Sequence, residues 1–75
     1  MSEIPETHKI ALKEALEAAG GAAALARVLG IKQPSVFEWQ EVPIRRVLAV
    51  EKATGISRYR LRPDIYGSPP QEAAE

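Results

Sequence analysis

Residues 22–41, AAALARVLGIKQPSVFEWQE, hold two runs of helix-forming residues parted by Gly30-Ile31-Lys32. Ala, Leu and Arg rank among the strongest helix formers, so 22–29 reads as two helical turns. Gly30 stops them, because glycine takes the left-handed conformation of a helix end without steric cost. A second helix is expected over 33–40, with Pro34 tolerated because its missing N–H falls in the unpaired first turn. Two short helices joined by a turn of three or four residues make a helix-turn-helix. Ala26, four residues before Gly30, sits where two helices meeting steeply leave no room for a larger side chain. Leu25, Leu29, Ile31, Val36 and Trp39 are spaced to face a core, which leaves the opposite side of the second helix free for a ligand.

Working outward, Leu12, Ala15, Leu16 and Ala19 recur at the period of an amphipathic helix, expected over 6–19. Pro5 suits its first turn, Thr7 is an alternative cap, and Gly20-Gly21 closes it. Beyond the central pair, Pro43 opens a helix over 43–54, with Ile44, Val47 and Leu48 as its buried stripe and Gly55-Ile56 as its end. Ser57 caps one further turn, 58–62, which Pro63 ends. The fold class is therefore all-α, a four- to five-helix domain over 1–66, with 67–75 expected as a flexible tail. Core packing alone accounts for Leu25, Val36, Leu48 and Trp39, and His8 is expected at the surface.

A chain of 75 residues buries only about 60% of its unfolded surface, which leaves no room for a two-lobed catalytic cleft. It has no Cys and one His, so no disulfide framework, thiolate nucleophile, zinc site or other cofactor site is expected. Asp64, Glu38 and His8 offer no nucleophile and base that the spacing would bring together, and an enzyme is disfavoured. No apolar run approaches the roughly 20 residues of a membrane span, and residues 1–7 do not resemble a signal peptide, so a cytoplasmic location is expected. Ten Lys and Arg balance ten Asp and Glu. That neutrality hides its distribution: residues 27–62 carry a net +5 between acidic flanks of −2 and −3.

The order Ala26-x3-Gly30-Ile31-x4-Val36-x2-Trp39 resembles the helix-turn-helix of phage repressors. With 24–31 (ALARVLGI), Gln33, Val42-Pro43, 46–51 (RVLAVE), 53–55 (ATG) and 61–66 (LRPDIY), residues 8–66 resemble the Cro-like, YdaS-type family of small bacterial and prophage repressors. That resemblance implies a four- or five-helix DNA-binding domain that represses a phage or toxin-linked operon, usually as a dimer. The chain departs from the repressor pattern where a Gln often begins the second helix and a Ser or Thr caps the third. Ala22 and Lys32 stand there, so backbone N–H groups or Lys32 must replace one side-chain phosphate contact.

Physical chemistry assigns roles to the same residues. The major groove admits an α-helix and displays a distinct hydrogen-bonding pattern for each base pair. Gln33, Ser35, Phe37 and Glu38 project from the outer face of the third helix and are the candidate base-contacting residues. Gln33 can bond adenine or grip a phosphate, Ser35 can bond either kind of base edge, and Phe37 can pack on a thymine methyl. Glu38 either accepts from cytosine or is a solvated or Arg-paired carboxylate. Candidate phosphate contacts are Arg27, Lys32, Arg45 and Arg46, with the N–H groups near Gly21 and Ala22. Arg58, Arg60 and Arg62 are expected to solvate a surface turn. Tyr59, Leu61, Ile65 and Tyr66 either pack over the fourth helix or form an oligomer interface.

The partner expected is a double-stranded DNA operator. A single small domain reads too few base pairs, so a homodimer on a pseudo-palindrome is expected, with a larger assembly open. The alternative is a protein-binding antitoxin or antirepressor module that uses the same helical surface against a toxin or a repressor, for which an exposed Phe37 would serve as anchor.

Overall fold

Side chains one turn apart on a helix share a face, so the buried positions show which side of each element turns inward. The computed structural model describes residues 4–67. The tail expected beyond Gly67 lies outside the described residues. Six α-helices follow one another: α1 (Glu6–Ala19), α2 (Ala22–Leu29), α3 (Gln33–Phe37), α4 (Val47–Thr54), α5 (Arg58–Leu61) and α6 (Pro63–Tyr66). A 3₁₀ turn, Ile44–Arg46, leads into α4. Among the described residues there is no strand, and the expected all-α class holds.

The bounds of α1 and α2 agree with the glycine punctuation. Gly20 adopts φ +95° and Gly30 φ +74°. At Gly30 a Cβ would meet nothing within 4 Å, so it is the backbone conformation and not crowding that calls for glycine there. The α1 N-cap is Pro5, and Thr7 makes no cap. Ser57 does cap α5, its side chain accepting from the Tyr59 N–H at 3.0 Å.

Two apolar clusters make the core. The larger joins Ala11, Leu12 and Ala15 of α1 to Val42, to Val47 and Val50 of α4, and to Leu61 of α5. The smaller is Leu25 and Ala26 of α2 against Val36 of α3. Leu16, Leu29 and Trp39 pack on both clusters and so join them.

Four expectations need correction. The third helix ends at Phe37, not at residue 40. From Val36, a continued helix would turn Val42 about 120° away from the inward direction. The chain instead leaves the helix, and Val42 is fully buried. In the fourth helix the buried pair is Val47 and Val50, while Ile44 and Leu48 are 58% and 50% exposed. The helical period allows either stripe, and packing against α1 and α5 selects the second. The turn before Pro63 does end there, with Arg62 out of the helix at φ −142°, but it is not the last: Pro63 opens α6, where its fixed φ and missing N–H suit the first position. His8 is 3% exposed, because the buried stripe of α1 begins one turn earlier than its aliphatic residues indicate, as His8, Ala11, Leu12 and Ala15.

Burial separates Leu61 of α5, which packs in the cluster of Val47 and Val50, from Leu48 on the exposed side of α4. Leu61→Ala, at a fully buried site, should destabilise by about 2–5 kcal/mol. Leu48→Ala should cost less than about 1 kcal/mol. Urea titration followed by helical circular dichroism checks both, and equal losses would contradict the packing. Asp64 accepts from Arg62, which holds its carboxyl below the usual carboxylate range. Since the folded state binds that proton less readily than the unfolded chain, the stability is present above about pH 4 and is lost as pH falls further. Asp64→Asn should flatten this acid limb in urea midpoints measured between about pH 2.5 and 6.

Candidate nucleic-acid interface

Val36 anchors α3 against Leu25 and Ala26, and that anchorage sets what the rest of the helix presents. Gln33, Ser35, Phe37 and Glu38 are all exposed, with Phe37 at 66%. Lys32 is the N-cap residue of α3, and its ammonium, which has no acceptor, cannot cap the helix. Glu38 has no ion-pair partner among the described residues. Pairing with an arginine, one of the alternatives for it, does not hold among the described residues.

The cations of the basic middle divide into two sets. Arg58 bonds Glu51 through its Nε at 3.0 Å, and its own backbone N–H meets the other carboxylate oxygen at 3.1 Å. Arg60 forks onto Glu14 at 2.6 and 2.7 Å, tying α5 to α1; that contact raises the arginine pKa and lowers the carboxyl pKa. Arg62 forks onto Asp64 at 2.9 and 2.8 Å. The expectation that these three only solvate a turn is therefore corrected: each cross-links the carboxyl-terminal half. Arg27, Lys32, Arg45, Arg46 and Lys52 form no ion pair among the described residues. Four of them are the candidate phosphate contacts, carried by α2, the turn before α3 and the 3₁₀ turn. Gly21 and Ala22, at the start of α2, are half-buried. With Glu38 the unpaired carboxylate among the described residues of 27–62, the free charge there stays positive and is carried by α2, the turn before α3, the 3₁₀ turn and α4.

The set Tyr59, Leu61, Ile65 and Tyr66 does not stay together as one surface. Leu61 is fully buried in the larger core cluster, so it is not available to a second subunit. Tyr59 and Tyr66 meet edge to face at 6.4 Å, and the Arg58 guanidinium lies 5.8 Å from the Tyr66 ring centre. Ile65 is the exposed member.

The segment that leaves α3 is held by groups that the spacing did not single out. Buried His8 of α1 donates from Nδ1 to Glu41 at 2.7 Å, and its Nε2 lies 3.5 Å from Asp64 of α6. Arg62 donates from Nη1 to the Val42 carbonyl at 2.9 Å, and its Nε is 3.6 Å from Glu41. Asp64 and then Glu41 hold the Arg62 guanidinium above its ordinary pKa. The signal for His8 was present in the sequence, since it lies three and four residues before Ala11 and Leu12; Glu41, Arg62 and Asp64 are too far apart in sequence to show their meeting. Among the described residues no group of His, Cys, Asp and Glu side chains is arranged to hold a metal ion, and no helix is long and apolar enough to cross a membrane.

No solved structure matches this chain. A protein of Escherichia coli (strain K12) bearing the name "Putative transcriptional regulator YdaS" is 41% identical over 59 residues, which cover 71% of this chain and 60% of that protein. The chain thus matches less than two thirds of its relative's length. A family model described as "Bacterial toxin YdaS" matches residues 12–70, a stretch that takes in the whole helix-turn-helix and all of the buried apolar residues but Ala11. The chain belongs to the YdaS family.

Proposed function

We propose that this protein is a sequence-specific DNA-binding transcriptional repressor that lays α3 in the major groove of a pseudo-palindromic operator as a homodimer, controlling a prophage or toxin–antitoxin-type operon. The observation that carries this reading is the exposed set Gln33, Ser35, Phe37 and Glu38 of α3 together with unpaired Arg27 on α2, Lys32 in the turn before α3, and Arg45 and Arg46 on the 3₁₀ turn. Base edges are read by the row, and phosphates are held by the cations, which set register without carrying sequence information. The relative's name, a transcriptional regulator, supports the same direction. Arg58, Arg60 and Arg62, already engaged with carboxylates, are left out of the DNA contact, as are the core residues.

A second reading rests on Phe37, whose 66% exposure on a recognition face suits an aromatic anchor in a protein interface, as in an antitoxin or antirepressor. The family model's description as a toxin fits a toxin-linked setting for either reading.

Titration of labelled DNA from upstream of the protein's own gene, against scrambled DNA at several salt concentrations, separates the two. The repressor reading expects tighter binding to the upstream DNA and a log–log salt slope of about −0.9 per phosphate neutralised. Gln33→Ala and Ser35→Ala should each cost about 1–3 kcal/mol of discrimination. Arg45→Ala and Arg46→Ala should weaken binding to all sequences alike and reduce the salt slope by about 1. Equal binding to both DNAs, or to neither, would overturn the repressor reading; a stoichiometric protein partner lost on Phe37→Ala would then support the second.

A further inference from the structure

Residues 38–43 connect the recognition helix to α4 with no regular structure of their own. Apolar packing holds Trp39 and Val42, and the polar hold on Glu41 and Val42 comes from His8 and Arg62. His8 faces Glu41 from the connecting segment and Asp64 from α6, with Arg62 lying against both carboxylates. Carboxylates are acceptors only, so each ring nitrogen of His8 must donate to serve its contact. A neutral imidazole has one N–H and serves one of them; the imidazolium serves both. Charge counting agrees: with the ring protonated, two cations meet two carboxylates, and with the ring neutral one negative charge is left over.

We propose that His8 is a proton-dependent positioning residue for α3: its imidazolium closes the ring of Glu41, Arg62 and Asp64, pins residues 38–43 onto α1 and α6, and thereby strengthens operator binding at lower pH. The link to DNA rests on the repressor reading; the link between His8 and residues 38–43 does not. A pinned segment presents α3 already in place, so less ordering is lost when DNA binds. Histidine is the side chain whose charge changes between about pH 5 and 8, while the Lys and Arg of the phosphate contact keep theirs. Asp64 and Arg62 keep their charge over that range as well, since the carboxyl is held down and the guanidinium held up by their mutual contact.

The test follows the full chain in two ways at constant ionic strength from about pH 5.5 to 8. In the free protein, NMR tracks the His8 ring together with the backbone amides of residues 38–43 and the Trp39 indole. In the complex, anisotropy of labelled upstream DNA gives the affinity. The expectation is that ring, amides and indole titrate together, and that affinity is at least about fivefold greater at pH 6 than at pH 8. His8→Gln should be flat in both measurements. Asp64→Asn, at a half-exposed position, keeps the core intact and should weaken the pH dependence; it decides the matter alone if His8→Gln does not fold. Amides of 38–43 that stay still while the His8 ring titrates, or a His8→Gln profile equal to that of the unsubstituted chain, would overturn the proposal. An unsubstituted chain that binds no DNA at any pH would overturn the repressor reading, and the ring and amide resonances would still decide whether His8 positions the segment.

Discussion

The placement of Trp39 between the two apolar clusters is the constraint on which the rest of the fold depends. The smaller cluster has three buried residues and is too slight to hold α2 and α3 against the rest. Trp39, with Leu16 and Leu29, joins it to the larger one, so that the helix-turn-helix and the carboxyl-terminal half share one core. Bringing Val42 inward as well as Trp39 requires the chain to leave the helix before Val42. The short α3 is thus a consequence of the core, and so is the irregular segment that follows it.

That segment makes the polar ring around His8 necessary. An irregular stretch has backbone and side-chain groups that no ladder satisfies, and here the Val42 carbonyl and the Glu41 carboxylate are met by Arg62 and His8. The same contacts bind the first and last described helices to the middle of the chain. Arg58 and Arg60 act in parallel, on Glu51 and Glu14. Exposed pairs of this kind contribute little stability one by one, but they remove three of the eight cations in the basic middle from any outside partner. The remaining positive charge is carried by α2, the turn before α3, the 3₁₀ turn and α4.

The chain's neutrality takes on a physical meaning in this arrangement. Under the repressor reading, acidic groups on α1 and near the carboxyl terminus lower the general attraction to DNA, while the unpaired cations keep a positive region for phosphates. Under the repressor reading, more of the discrimination then falls to the four exposed side chains of α3, because the counterion contribution that favours all DNA alike is modest.

Sequence alone determined the all-α class, the bounds of α1 and α2, the turn at Gly30 and the outward row on α3, because each rests on local physics: helical period, glycine at positive φ, and proline in a first turn. It did not determine which stripe of α4 is buried, where α3 ends, that His8 lies inside or that Leu61 is unavailable to a partner. Helical periodicity is met equally by Ile44–Leu48 and by Val47–Val50, and only the neighbouring helices break that tie. Likewise, His8, Glu41, Arg62 and Asp64 are separated by up to 56 positions in the sequence, and only the packing of α1 against the end of the chain brings their charges within reach of one another.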